Sequence, residues 1–216
     1  MKASSTSATK ITRVLIADDH PVVREGLVTI LKSQKDLQVV AEAANGKETC
    51  ELYYKLAPDV LMVDIRMPEK DGLQVVTELT ARGEPKPRII VMTIYESEGD
   101  VYRALKAGAK GYLMKGAAPQ LIREAVRKVA AGQALLQPEI ASRLAEFMSR
   151  PKISRRELQV LQYVACGKSN KEIGQILHIS ESAVKYHVKF ILRKLNAVGR
   201  TEASAIAIRC GLIHTS

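Results

Sequence analysis

The stretch VLMVDIRMPEKDG, residues 60–72, is a short apolar run that closes on a carboxylate, Asp64, and passes into a loop punctuated by Pro68 and Gly72. It reads as a strand, Val60 to Asp64, delivering an acid to its carboxyl end. Upstream lie two more β-branched runs, Arg13 to Ala17 and Leu37 to Glu42, and downstream two others, Arg88 to Thr93 and Gly111 to Met114. Amphipathic stretches separate them: Val22, Val23, Leu27, Ile30 and Leu31; then Leu73, Val76 and Leu79; then Val101 and Leu105 before Gly108. Strand and helix in alternation, five of each, predict a doubly wound parallel α/β sheet with helices on both faces. The fifth helix is expected from Pro119, suited to a first helical turn, to Ala131 before Gly132.

In such a sheet the carboxyl ends of the strands converge on one crevice. Asp18, Asp19, Asp64, Thr93 and Lys115 each lie at or just beyond a strand end. Taken singly, the aspartates at 18 and 19 read as caps for the next helix, Thr93 as a strand terminus and Lys115 as a solvated cation. Brought together, three carboxylates repel one another and invite a hard cation with oxygen ligands, for which Mg²⁺ with retained waters is suited. A lysine and a hydroxyl beside it are what a phosphoryl group needs around its oxygens.

A further amphipathic piece, Pro138 to Met148, ends at Ser149-Arg150-Pro151, where the residue before proline is pushed out of helical geometry. Beyond it the pattern is wholly helical. Ser154 with Glu157, and Ser169 with Glu172, are capping boxes that set two helix starts. Gly167 stands between them, and His178-Ile179-Ser180 makes the next tight turn before a helix from Glu181 to Leu195; a last helix is expected from Glu202 to Cys210, ending at Gly211. A capped helix, a short turn and a second helix is the layout of a helix-turn-helix. On the second helix Lys185, Lys189 and Arg193 share one face, while Val184, Val188, Ile191, Leu192 and Leu195 are placed to bury the other.

The charge agrees with this division. The 216 residues carry a formal net charge of +10, and from Arg150 onward 12 Lys plus Arg stand against 4 Asp plus Glu, net +8. Such a segment attracts polyanions. A 46% hydrophobic content in 216 residues suffices for two cores. Cys50, Cys166 and Cys210 are scattered and odd in number, which indicates neither a disulfide framework nor a zinc site. The opening MKASSTSATK has no apolar segment of a signal peptide, and no later run is long enough for a bilayer, so a soluble, cytoplasmic protein with no membrane partner and a disordered tail over residues 1–11 is expected.

The runs VLIADDHP, VLMVDIRMPEKDG, VMT and GYLMK closely resemble the receiver domain of two-component response regulators over residues 13 to 131. The run from Ile153 to Ile213 resembles the LuxR-type four-helix DNA-binding domain, with Glu157, Gly167, Asn170 to Ile173, Val184-Lys185, His187-Val188, Lys194-Leu195 and Arg200-Thr201 at the family's positions. Ala183 departs from it, standing where many members have Thr. Together the two resemblances mark the NarL/FixJ class.

They imply a five-stranded flavodoxin- and CheY-like sheet of order 2-1-3-4-5 in a receiver domain at 12–132. A partly helical linker at 133–151 and an all-α four-helix helix-turn-helix domain at 152–216 follow. They imply that Asp64 accepts a phosphoryl group from a sensor histidine kinase. Asp18, Asp19, Asp64 and the Arg66 backbone carbonyl hold Mg²⁺, Thr93 and Lys115 bind the phosphoryl oxygens, and Tyr112 turns inward as Thr93 moves. Arg66 and Tyr95 are placed to tune the loss of the phosphoryl group. Lys185, Tyr186 and Lys189 face bases, with Lys171 and Arg193 on phosphates. The expected product is a phosphorylation-dependent homodimer on promoter DNA that acts with RNA polymerase, with the unphosphorylated receiver docked over the helix bearing Lys185 and Lys189. Ala203, Ile206 and Ala207 offer either a dimer surface or packing onto their own core. An Asp nucleophile with Mg²⁺ also serves hydrolases of the haloacid dehalogenase type, but these need a second Asp where this chain has Arg66; a constitutive DNA binder would not need all five pocket residues.

Overall fold

A computed structural model of the chain describes residues 11–82, 86–94, 98–149, 152–210 and 212–213. Residues 1–10 of the expected tail, the proline junction at 150–151, Tyr95 and the stop at Gly211 lie outside the described residues. Two compact units result: most of the chain up to Gln137 belongs to the first, and the chain from Pro138 onward, together with residues 98–102, belongs to the second.

The first unit alternates β1 (Thr12–Ala17), α1 (Pro21–Lys32), β2 (Leu37–Ala43), α2 (Gly46–Leu56), β3 (Val60–Asp64), α3 (Gly72–Ala81), β4 (Ile89–Thr93), α4 (Glu98–Ala107), β5 (Gly111–Met114), α5 (Pro119–Ala130) and β6 (Leu135–Leu136). All strand pairs are parallel, in the order β2-β1-β3-β4-β5-β6. Every residue of β3 and of β4 is buried, as expected for strands covered on both faces. Alternation along the strands sends Val14, Ile16, Met62, Ile90, Met92 and Leu113 into one layer. There they pack with Leu27 and Leu31 of α1 and with Ile122, Val126 and Val129 of α5. Pro119 opens α5 as expected, and its buried positions 122, 125, 126 and 129 form one helical stripe.

The sequence pattern holds five strands; the structure adds β6. Gly132, at φ +82°, turns the chain back after α5, and the Leu135 N–H donates to the Lys110 carbonyl at 2.8 Å. Two residues are too few to carry a period-2 signal, so the strand leaves no mark in the pattern.

The second unit holds α6 (Pro138–Ser149), α7 (Arg155–Ala165), α8 (Asn170–Leu177), α9 (Glu181–Leu195) and α10 (Arg200–Arg209). Both capping boxes form as expected: Ser154 with Glu157 at α7, and Ser169 with Glu172 at α8. Val160, Leu161, Val164, Ile173, Val184, Ile191, Ala203 and Ala207 make its core, with Val188, Leu192 and Leu195 packed against it. The buried face expected of α9 is therefore present. Helix α10 begins at Arg200 rather than Glu202, because Glu202 accepts the Val198 N–H at 2.7 Å from its third position instead of starting the helix. Ala203 and Ala207 are 1% and 0% exposed, which settles them as the unit's own packing and removes them from any outward surface.

Candidate functional site

Parallel register brings the ends of four strands level: Ala17 pairs with Val63, Asp64 with Met92 and Thr93 with Met114. The residues that follow these ends converge. Asp18, Asp64 and Thr93 are 1%, 3% and 5% exposed. The Lys115 ammonium reaches across to both acids, at 2.7 Å from Asp18 Oδ2 and 2.9 Å from Asp64 Oδ2. Burial pushes the Asp64 carboxyl above its ordinary value, opposed by the hydrogen bond and charge of Lys115 and by a hydrogen bond from the Arg66 backbone N–H. Burial works against the Lys115 charge in turn, yet its hydrogen bonds with Asp18 and Asp64 carry its pKa upward. One buried cation between two buried carboxylates leaves the pocket net negative, a charge state that favours a further cation.

The loops on either side are shaped to hold these groups. The Asp18 N–H donates to the Ala43 carbonyl at 3.1 Å, and Asp18 Oδ1 accepts the His20 N–H at 2.9 Å. Arg24 donates to the Asp18 carbonyl at 2.6 Å. After Asp64 the chain turns through Glu69, at φ +63°, and re-enters at Gly72, whose N–H donates to the Ile65 carbonyl at 2.9 Å. A Cβ on Gly72 would lie 2.0 Å from the Asp64 carbonyl oxygen, so only glycine allows this approach.

Asp18, Asp19, His20 and Asp64 each offer a ligand atom within 4.8 Å of the others. The three carboxylates are hard oxygen donors from two strand ends, and they suit a Mg²⁺ ion. His20 is an addition the sequence reading did not make; its Nδ1 lies 2.6 Å from Asp19 Oδ1, and only its adjacency to the acid pair signals it. Arg66 is exposed, and Tyr112 is already fully buried on β5.

In the second unit, α8, the turn at His178 and α9 form the two-helix layout. His178 adopts φ +54°, and the Ile179 N–H donates to the Gly174 carbonyl at 2.9 Å. A Cβ on Gly174 would stand 2.7 Å from the Ile179 carbonyl oxygen, a constraint that one glycine inside a helical pattern does not announce. Lys171, Lys185, Tyr186, Lys189 and Arg193 are all exposed, Tyr186 at 61%. Lys185 pairs with Glu181 at 2.8 Å, one turn earlier. An exposed pair of this kind is held only weakly, so Lys185 can exchange its partner readily.

Two other basic residues of the expected pattern are structural. Lys194 binds Glu157 Oε2 at 2.7 Å and the Lys152 carbonyl at 3.0 Å, tying α9 to the start of α7. Arg200 donates to Asn170 Oδ1 at 2.6 Å and to the Lys168 carbonyl.

The family model for the response regulator receiver domain matches residues 14–127, more than half of the chain. The chain is a response regulator. The model for bacterial regulatory proteins of the luxR family matches residues 151–207, so this response regulator joins a receiver to a LuxR-type DNA-binding domain. It is 36% identical over 214 residues to the transcriptional regulatory protein YxjL of Bacillus subtilis, covering 94% of this chain and 97% of that protein. To the response regulator VraR of Staphylococcus aureus it is 34% identical over 207 residues, covering 94% and 99%. Among solved structures, the response regulator ChrA of a heme-sensing two-component system shares 39% identity at a TM-score of 0.57, over 94% of this chain and 99% of that one. Salmonella typhimurium RcsB, 24% identical, matches the fold at a TM-score of 0.74 over 90% and 98%. Among the described residues, no helix of this response regulator is long and apolar enough to cross a membrane.

Proposed function

We propose that this response regulator takes a phosphoryl group onto Asp64 from a sensor histidine kinase and then binds promoter DNA as a dimer through α9. The observation that carries the reading is the Lys115 ammonium, 2.9 Å from the Asp64 carboxylate in a buried acidic pocket. A carboxylate oxygen of Asp64 attacks the phosphorus of the kinase phosphohistidine. The new O–P bond forms as the P–N bond breaks, and the leaving imidazole takes a proton from solvent. Asp18, Asp19, Asp64 and the Arg66 carbonyl would hold Mg²⁺, which supplies positive charge to the phosphoryl oxygens. Lys115 exchanges its carboxylate partner for a phosphoryl oxygen, and the Thr93 hydroxyl donates to another. Thr93 shifts toward Asp64, and Tyr112, already buried on β5, holds the inward position beside it.

In this reading residues 12–132 form the receiver, 133–151 a partly helical linker whose Leu135 and Leu136 pair onto the receiver sheet as β6, and 152–216 the DNA-binding domain. Lys185, Tyr186 and Lys189 face base edges, and Lys171 and Arg193 face phosphates. The solved RcsB–DNA complex, and a second structure with two RcsB dimers on DNA, support a dimer on the duplex. In this reading the protein is a cytoplasmic regulator that acts with RNA polymerase, not an enzyme, and its unphosphorylated receiver restrains DNA binding. Gel shifts on sites recovered from genomic DNA test it, comparing the wild type with and without beryllofluoride, a phosphoryl mimic, alongside Asp64→Ala. Beryllofluoride is expected to tighten wild-type binding and leave Asp64→Ala unchanged. Equal binding in all cases would replace the switch with a constitutive DNA binder.

A further inference from the structure

The outward face of α9 carries a feature that the basic stripe does not explain. The rings of Tyr186 and Phe190, one turn apart, stand 4.5 Å between centroids at an interplanar angle of 43°. The Arg193 guanidinium lies over the same Phe190 ring, 4.4 Å from its centroid. Phe190 is thus the middle rung of a ladder Tyr186–Phe190–Arg193, and the two outer rungs are exposed while Phe190 is half-buried. A cation held over a ring face keeps its N–H edges free for an anion. The tyrosine, packed against the same ring, has its swing restricted.

We propose that Phe190 is a positioning residue for DNA recognition, fixing the Arg193 guanidinium as a preset phosphate clamp and the Tyr186 ring in one orientation toward the bases. The inference rests on the DNA-binding reading of α9 and deepens it. Ordering an exposed arginine on binding costs rotamer entropy, and a side chain already stacked has lost part of that freedom beforehand. The ladder therefore acts on affinity through Arg193 and on base preference through Tyr186. Phe190 itself need touch neither.

The test uses the full chain and two probes: a duplex selected from random oligonucleotides by the wild type, and a scrambled duplex of equal length. Affinities are measured over a series of salt concentrations for the wild type, Phe190→Leu, Phe190→Tyr, Arg193→Ala, the double variant Phe190→Leu/Arg193→Ala, and Lys189→Ala. Leucine keeps the apolar contact with the helix but offers no ring face, and thermal melts check that the fold is unchanged. Phe190→Leu is expected to weaken binding to the selected duplex roughly 3–10-fold and to narrow the preference for it over the scrambled one. It should also lower the salt slope by up to about one phosphate contact. Phe190→Tyr retains wild-type behaviour. On the scrambled duplex, where base preference plays no part, the double variant is no weaker than about twofold below Arg193→Ala, because there Phe190 works through that residue. Wild-type affinity and slope in Phe190→Leu, or losses that multiply in the double variant on the scrambled duplex, would overturn the proposal while Lys189→Ala still weakened binding. If the wild type itself shows no salt-dependent binding and Lys189→Ala changes nothing, the DNA reading of α9 fails, and this inference with it.

Discussion

At the scale of single residues, Glu157 shows how one side chain serves two elements. It completes the α7 capping box with Ser154 and receives Lys194 of α9 at 2.7 Å. Burial works against its charge, yet the hydrogen bonds from Lys194 and Ser154 hold its carboxyl below the ordinary glutamate value. A depressed folded pKa stabilises the fold above the unfolded value of about 4.3, and that contribution is lost as pH falls through the lower folded one. Glu157→Ala removes cap and ion pair together at a cost on the order of 3 kcal/mol at pH 7. For Glu157→Gln, the gap in melting temperature to the wild type is full at pH 7 and narrows in melts below about pH 4.3. A gap independent of pH would mean that the charge on Glu157 is not what matters. Glu157 was legible in the sequence as a cap, because Ser154 lies three residues away; its partner was not, because Lys194 is 37 residues distant and reads equally well as part of a basic stripe. The acidic pocket was legible for the opposite reason. Its members are also far apart, but each sits at a strand end, and a parallel sheet has one place where strand ends meet.

At the scale of elements, two glycines control how neighbours approach. Gly174 lets α8 approach the Ile179 carbonyl: a Cβ there would stand 2.7 Å from that oxygen, and backbone cannot swing away as a side chain can. Gly174→Ala should open the turn between α8 and α9, lowering stability by about 2–3 kcal/mol and weakening DNA binding beyond what the lost folded fraction explains. Melts together with gel shifts separate the two effects, and an unchanged melting point would show that the turn yields without cost. Gly72→Ala makes the corresponding test at α3: the Asp64 carbonyl must move, and phosphoryl uptake from a small phosphodonor should fall at least tenfold. The structure is most distant from the sequence at β6 and at the start of α10. One is too short for a periodic pattern, and the other begins without a side-chain cap on Gly199. The long strands and capped helices were legible because their signals repeat or sit within one turn.

At the scale of the whole molecule, the hydrophobic cluster that α1 and α5 form with the sheet and the cluster within α7 to α10 share no residue. Calorimetry should therefore resolve two transitions, with Glu157→Ala lowering only one and Gly72→Ala only the other; a single transition shifted by both would show the cores to be coupled. The restraint of DNA binding proposed for the receiver would also be a whole-molecule property. The fragment 150–216 should bind DNA more tightly than the unphosphorylated full chain, and equal affinity would remove the restraint. The net +8 carried from Arg150 onward makes both affinities fall with added salt. A last consequence comes from β6, which covers the edge of β5 at Gly111 and Tyr112 and then gives way to Pro138, a residue with no N–H to donate. A stray strand seeking to prolong the sheet on that side meets two residues and a proline, a poor seed for fibrils when many copies crowd together.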